Sequence, residues 1–409
     1  PTNRPSQSPT DKPTNRPSQN PTDRPTGRPT SDQPTALRAY PRGKKGACFT
    51  LRDEGSHGSY AENLPKLLAL LPDWAYSWSD VPAEGVPLVF SAGGGVEIPL
   101  AGGGGGVDFV PMLWGYYPGA SFETSTDRIL AQNPRIVLGF NEPDSPEQAD
   151  IPDVETAVTG WRELVSKMGG DHGVDDGDDD ASDKSEAWSG VFTRALRPRE
   201  NNDDDDGLLF VSPACVHPLG DWCWSFMQQT GREGLRVDAI GVHYYGSSDP
   251  EDFFDLLEDV YESYGRRPLL VTEFALADWD AATPADNKYG PGDAMEFMRA
   301  VLPWLESKEW VLGYSWFSFE RDDPNGWVSA LFEAETESGR EHNVFDKNSN
   351  SNNDAPELTP LGRYYANFRS DRNNDKRGEK EKHWNLFWRR LPWSTETVST
   401  VTTTNLIML

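Results

Sequence analysis

Two glutamates stand at the ends of apolar runs. Glu142 follows the run 136–140 in GFNEPD, and Glu273 follows the run 269–272 in VTEFA. If both runs are strands, both carboxyl groups sit at C-terminal strand ends. A carboxyl group beside an apolar strand end loses solvation, which favours its neutral form and suits it to donate a proton. A second carboxylate facing it stays ionised and attacks. Two carboxyl groups across a scissile glycosidic bond are the machinery of glycoside hydrolysis. Either glutamate alone reads as an exposed strand-end charge or a salt-bridge partner. The pair, with Asn141 and Pro143 around the first, favours chemistry.

The elements that must position this pair are short apolar runs alternating with helical patterns. Strands are expected at 46–49, 73–78, 109–114, 136–140, 208–212, 239–243, 269–272 and 313–317. Several are almost continuously apolar, as parallel strands buried on both faces require. Apolar residues at helical spacing mark 64–71, 154–168, 253–264 and 294–307. Eight strands with room for a helix after each predict an α/β fold, a (β/α)8 TIM-type barrel. Catalytic groups of such a barrel converge on its C-terminal rim, where both glutamates fall. A doubly wound open sheet is the alternative, but no G-x-G-x-x-G follows the first strand.

The charge narrows the substrate. The 409 residues carry 38 Lys and Arg against 66 Asp and Glu, a net charge of −28. Such a surface repels phosphate backbones and anionic membranes, so no nucleic-acid partner is expected and a neutral ligand is. No apolar stretch reaches the length of a membrane span. Mean hydropathy is low at −0.67, so some segments should be unfolded. The 15 Trp, 13 Tyr and 18 Phe belong to a packed domain.

Three parts follow. Residues 1–37 repeat a Pro/Thr-rich unit starting at Pro1, Pro13 and Pro25. The unit has no apolar face to stack, so it reads as a disordered, semi-rigid stalk like the O-glycosylated linkers of secreted proteins. Residues 38–370 form the barrel, and 371–409 a tail of unassigned role. Insertions interrupt the barrel: a Gly-rich loop at 91–106, an acidic loop at 169–207 and a polar loop at 333–356. In the acidic loop Asn202, Asp204, Asp206 and Gly207 imitate the start of a calcium loop, but Pro213 stands where its last ligand belongs. A solvated loop is the expectation. Of Cys48, Cys215 and Cys223, the last two are the nearer pair for one bridge. A zinc site with His217 lacks a second cluster.

A pyranose packs its C–H face on an indole ring, while its hydroxyls need fixed polar partners. Trp78, Trp114 and Trp316 lie at or near C-terminal strand ends. Tyr116, Tyr117 and Trp279 follow in the loops beyond. These are the candidate sugar-binding aromatics, with Trp74, Trp304 and Trp310 left to the core.

Seven blocks carry a family resemblance. They are FVPMLWG at 109–115, LGFNEPD at 138–144, SPA at 212–214 with Trp222 and Phe226 beyond, VDAIGVHYYG at 237–246, VTEFA at 271–275, YSWF at 314–317 and LTPLGRYY at 358–365. In this order they resemble glycoside hydrolase family 128 of clan A, the glycosyl hydrolase catalytic core of alkali-sensitive linkage proteins, whose known activity is β-1,3-glucanase. The insertions, stalk and tail depart from the pattern and leave loop-dependent specificity open.

The resemblance implies a retaining, double-displacement mechanism with Glu142 as general acid/base and Glu273 as nucleophile, and no metal or cofactor. Asn141 would bind the sugar 2-hydroxyl. His243 and Tyr245, two apart on a strand, share a face. If it points inward they orient Glu273; the alternative turns Tyr244 inward. A retaining pair stands about 5–5.5 Å apart. The expected partner is a neutral β-glucan polysaccharide or oligosaccharide, and the expected protein a monomer that is secreted or in the cell wall. A glucan-binding protein without turnover, or a hydrolase of another neutral β-glycan, remain the rival readings.

Overall fold

The computed structural model describes residues 43–49, 60–82, 89–90, 95–99, 106–169, 208–334 and 356–368. The stalk, the tail, the acidic stretch 170–207 with its calcium-like motif and the stretch 335–355 lie outside the described residues, as do glycines 102–105.

Ten strands are described: β1 Gly46–Cys48, β2 Trp74–Tyr76, β3 Val89–Phe90, β4 Val96–Pro99, β5 Gly106–Phe109, β6 Ile136–Leu138, β7 Leu209–Val211, β8 Ile240–Tyr244, β9 Leu269–Phe274 and β10 Val311–Trp316. Helices follow most of them: α1 Tyr60–Ala69, α2 Ala120–Ala131, α3 Val154–Lys167, α4 Asp221–Arg232, α5 Pro250–Ser263, α6 Pro291–Ser307 and α7 Pro360–Asn367. The chain is therefore an α/β fold, as the alternation of runs predicts. Its ladders form three sheets, β1-β2-β5-β4-β3, β6-β7 and β8-β9-β10. All pairs are parallel except β3–β4 and β4–β5. Isolated parallel bridges occur at Met112↔Leu138, Val211↔Ala239 and Lys45↔Tyr314.

The antiparallel pair β3–β4 corrects the sequence reading, which made 91–106 a loop. In VEIP the residues Val96 and Ile98 alternate and are buried. They form a strand along β5, and Gly106 opens β5 itself. The run of glycines hides this short period-2 signal.

Apolar residues pack in two layers. One cluster gathers strand residues including Cys48, Trp74, Ile136, Leu209, Leu270 and Leu312. The other lies between strands and helices. Helix α5 shows why the second forms: Asp249 caps its N-terminus, Pro250 starts it, and Phe253, Leu257 and Val260 recur on its buried face. In α3 the same spacing buries Trp161, whose indole N–H donates to Arg236 O at 2.9 Å.

Two buried lysines before β1 tie the start of the domain to its end. Lys44 Nζ donates to the carbonyls of Leu305, Glu306 and Lys308 at the C-terminus of α6, at 3.1, 3.1 and 2.6 Å. Lys45 Nζ does the same for Tyr365, Ala366 and Phe368 at the C-terminus of α7, at 3.1, 2.9 and 3.3 Å. Helix C-termini expose unpaired carbonyls and partial negative charge, so a buried ammonium there is both hydrogen-bonded and electrostatically matched.

Candidate active site

Because the strands bearing them run parallel, Trp78, Glu142, His243, Tyr245 and Glu273 arrive from one end of the sheets. The strand period decides which side chains meet. On β8, Ile240, Val242 and Tyr244 join the layer facing the helices, and Tyr244 packs on Phe253 and Phe297. His243 and Tyr245 therefore face the other way, toward Glu273. On β9 the register shifts by one residue between the pairs Val242↔Val271 and His243↔Glu273. This irregularity turns Glu273 to the side that Leu270 faces. A plain period of 2 would have turned it away.

Glu273 is held from three sides. Its Oε1 accepts from Trp78 Nε1 at 2.8 Å and from Tyr76 Oη at 3.0 Å. Its Oε2 accepts from Tyr245 Oη at 2.6 Å. His243 Nε2 lies 3.4 Å from Oε1, without hydrogen-bond geometry. The other ring nitrogen, Nδ1, lies 2.7 Å from Glu142 Oε1. One imidazole thus stands between the two carboxyl groups, and one oxygen of each glutamate and one His243 nitrogen lie within 4.8 Å of one another. Among the described residues these three are the group whose ligand atoms come close enough to hold a cation.

Backbone strain marks the same place. Trp78 and Glu142 have φ of +50° and +44°, a left-handed conformation that costs a non-glycine residue about 1–2 kcal/mol. Glu142 is fixed there by its N–H donating to Ala214 O at 2.8 Å. The adjoining Asp144 carboxylate accepts the N–H groups of Val216 at 2.9 Å and His217 at 3.1 Å. Cys215 and Cys223 form a disulfide between this segment and α4, which removes both sulfurs from any zinc site with His217. Cys48 is free and buried.

Electrostatics follow from burial and the shared carboxylates. Burial opposes the charged imidazole of His243, but the charge of Glu273, the hydrogen bond to Glu142 and the charges of Glu142 and Asp144 outweigh it. The His243 pKa is raised from its usual 6.5. Burial, followed by the charge of Glu273, lifts the phenols of Tyr76 and Tyr245 well above 10. Both remain hydrogen-bond donors throughout the neutral range.

Asn141 is 3% exposed. Its Nδ2 donates to Gln148 Oε1 at 3.2 Å, while its buried Oδ1 has no protein partner. That oxygen suits a ligand hydroxyl. Trp279, 60% exposed, packs edge-on against Tyr245 and Phe319 at centroid distances of 5.5 and 6.1 Å. Trp114 lies beside the Glu142 strand: its carbonyl accepts the Asn141 N–H at 2.9 Å, and its ring runs parallel to Tyr117 at 6.5 Å.

Two expected sugar contacts fall elsewhere. Trp316 is 1% exposed; its ring packs on Phe274, and its indole N–H donates to Ser329 O at 2.9 Å. It faces the helices, and Phe317, one residue on, takes the site-facing position against Trp78 and Tyr245. Tyr116 packs edge-on against Phe122 of α2, with ring centroids 5.6 Å apart. Tyr76, Phe317, Phe319 and Asp144 belong to the site's surroundings and were not singled out from sequence. Tyr76 was findable, since it lies two residues before Trp78 on one strand face.

The sequence profile of the glycosyl hydrolase catalytic core matches residues 65–175 and 182–365. No curated protein matches the chain. Among solved structures the chain is similar to a glycoside hydrolase family 128 (subgroup I) endo-β-1,3-glucanase from Amycolatopsis mediterranei. A glutamate-to-glutamine variant of that protein, in complex with laminarihexaose, shares 21% identity over 79% of this chain and 98% of the other, with a TM-score of 0.50. A glutamate-to-alanine variant with laminaripentaose gives the same figures. At that identity the likeness is one of fold.

Proposed function

The chain belongs to the glycosyl hydrolase catalytic core family and is a glycoside hydrolase, and from that premise we propose that it cleaves β-1,3-glucan by double displacement, with Glu273 as nucleophile and Glu142 as general acid/base. The observation that carries this reading is that both carboxyl groups reach the same imidazole, with one oxygen of each within 4.8 Å of the other, a close approach that favours a retaining pair. Retaining pairs stand about 5–5.5 Å apart, whereas inverting pairs leave about 6.5–9.5 Å for a water.

Glu273, held by neutral donors, attacks the anomeric carbon. Glu142 protonates the departing glycosidic oxygen, which keeps the electrons of the broken bond. Water then attacks the glycosyl ester while Glu142, now the base, takes its proton, and Glu273 leaves as carboxylate. Asn141 Oδ1 accepts from the sugar 2-hydroxyl in this reading, which its buried, unpartnered state supports, and the exposed Trp279 ring offers a face for a pyranose.

The β-1,3 linkage comes from the laminari-oligosaccharides held by the structural neighbour. We also propose that the eight parallel strands close as a (β/α)8 barrel. The parallel bridges between the three sheets and the inner cluster drawn from those strands support this. The disulfide supports an oxidising, extracellular setting.

The test is product mass and reducing ends on laminarin, with and without Glu273→Gln. Soluble laminari-oligosaccharides from wild type alone support the reading. Laminarin bound but uncleaved, or a mannan or xylan cleaved in its place, contradicts it.

A further inference from the structure

Glu273 is bound asymmetrically, and the asymmetry concerns its two oxygens. A carboxylate oxygen has about two lone pairs in the carboxylate plane. Oε1 receives the indole N–H of Trp78 at 2.8 Å and the hydroxyl of Tyr76 at 3.0 Å, with His243 Nε2 a further 3.4 Å away. Tyr76 Oη also lies 3.2 Å from Thr272 O, but its one proton favours the closer, charged acceptor. Oε2 receives the Tyr245 hydroxyl. The sequence reading made Trp78 a sugar platform, yet its N–H is spent on the glutamate. Its ring is wedged edge-on between Tyr76 at 5.2 Å and Phe317 at 5.9 Å.

We propose that Oε2 is the attacking atom of Glu273, and that Trp78 is a positioning residue whose indole N–H, with the Tyr76 hydroxyl, holds Oε1 through both displacements. This rests on the double-displacement reading above. In the first step an Oε2 lone pair forms the bond to the anomeric carbon, the bond to the leaving oxygen breaks, and that oxygen takes its proton from Glu142. Oε1 becomes the ester carbonyl oxygen and keeps both donors. In the second step water adds to the anomeric carbon, its proton passes to Glu142, and the Oε2–carbon electrons return to the carboxylate. Negative charge then regrows on Oε1, where Trp78 and Tyr76 stabilise it. The two donors therefore assist departure of Glu273 more than its attack, because hydrogen bonds to an ionised carboxylate also temper its nucleophilicity.

A donor to Oε1 has a kinetic signature opposite to that of a sugar platform. Trp78→Phe keeps an aromatic face and removes the N–H. On a 2,4-dinitrophenyl β-laminaribioside the first step is fast and departure of Glu273 limits the rate. The variant should lose about 10- to 100-fold in kcat, the usual effect of one hydrogen bond to a charged group. KM should fall in parallel, with kcat/KM within about three-fold of wild type. Intact-protein mass should show the glycosyl-enzyme accumulating in the steady state. Tyr76→Phe should shift the same quantities in the same direction, and it carries the test if Trp78→Phe does not fold. A raised KM with unchanged kcat would make Trp78 a platform and overturn the proposal. So would unchanged kinetics, or a lower kcat without accumulated intermediate. Wild-type protein that releases no dinitrophenolate overturns both this inference and the reading on which it rests.

Discussion

His243 Nδ1 lies 2.7 Å from Glu142 Oε1, so the group assigned to proton transfer is tied to the one imidazole that also faces Glu273. This pair makes folding pH-dependent. Burial alone would lower the His243 pKa, but the carboxylates raise it above 6.5. A raised folded-state value means that the histidine binds its proton more tightly folded than unfolded. Its stabilising contribution is complete below about pH 6.5 and is lost as pH rises through the folded value. The melting-temperature difference between wild type and His243→Gln should therefore be largest in acid and shrink toward alkaline pH. A difference that grows with pH would contradict the assignment.

Trp279 and Trp316 should separate binding from folding. Trp279→Ala removes an exposed ring and should leave the melting temperature nearly unchanged. KM for laminari-oligosaccharides should rise by about 5- to 30-fold, the equivalent of roughly 1–2 kcal/mol of ring contact. Trp316→Ala empties a core position and should cost about 3–5 kcal/mol of stability. Chemical denaturation and oligosaccharide kinetics on both variants check the contrast.

The lysine clamps should be stabilising even though they bury charge. Lys45→Met keeps the length of the side chain and removes the ammonium that caps α7. Three carbonyls then lose their shared charged donor, at a cost of about 1–3 kcal/mol. Denaturant midpoints should fall while KM stays constant. An unchanged midpoint would show that water replaces the cap without penalty.

That Glu142 and Glu273 meet was legible because each glutamate ends an apolar run, and parallel strands bring such ends together. What the sequence hid was register. The shift between Val242 and His243 against β9, and two more between β9 and β10, alter side-chain parity locally. Phe317 therefore faces the site while Trp316 turns outward, a difference of one residue that composition does not reveal. Tyr76 shares a strand face with Trp78, but in the apolar triplet WAY it reads as core unless that spacing is used, because only its hydroxyl reaches the carboxylate. The clamps of Lys44 and Lys45 join residues more than 260 positions apart, beyond any local pattern. The hairpin β3–β4 was lost in a glycine-rich stretch.

Glu142→Ala should divide the two steps. A dinitrophenyl β-glucoside oligomer needs little protonation to leave, so it should still glycosylate Glu273 in this variant. The intermediate should then persist, because no base activates water. Azide needs no general base and should restore turnover, giving a β-glycosyl azide. An α-azide would mean that the roles are reversed or that no double displacement occurs.

Retention through Glu273 fixes which anomer forms first. Laminaripentaose hydrolysis followed by proton NMR, at times short against mutarotation, reports the configuration of the new reducing end. Two displacements should give the β-anomer first, with α appearing only by mutarotation. An initial α-anomer would show a single displacement by water, with no glycosyl ester on Glu273.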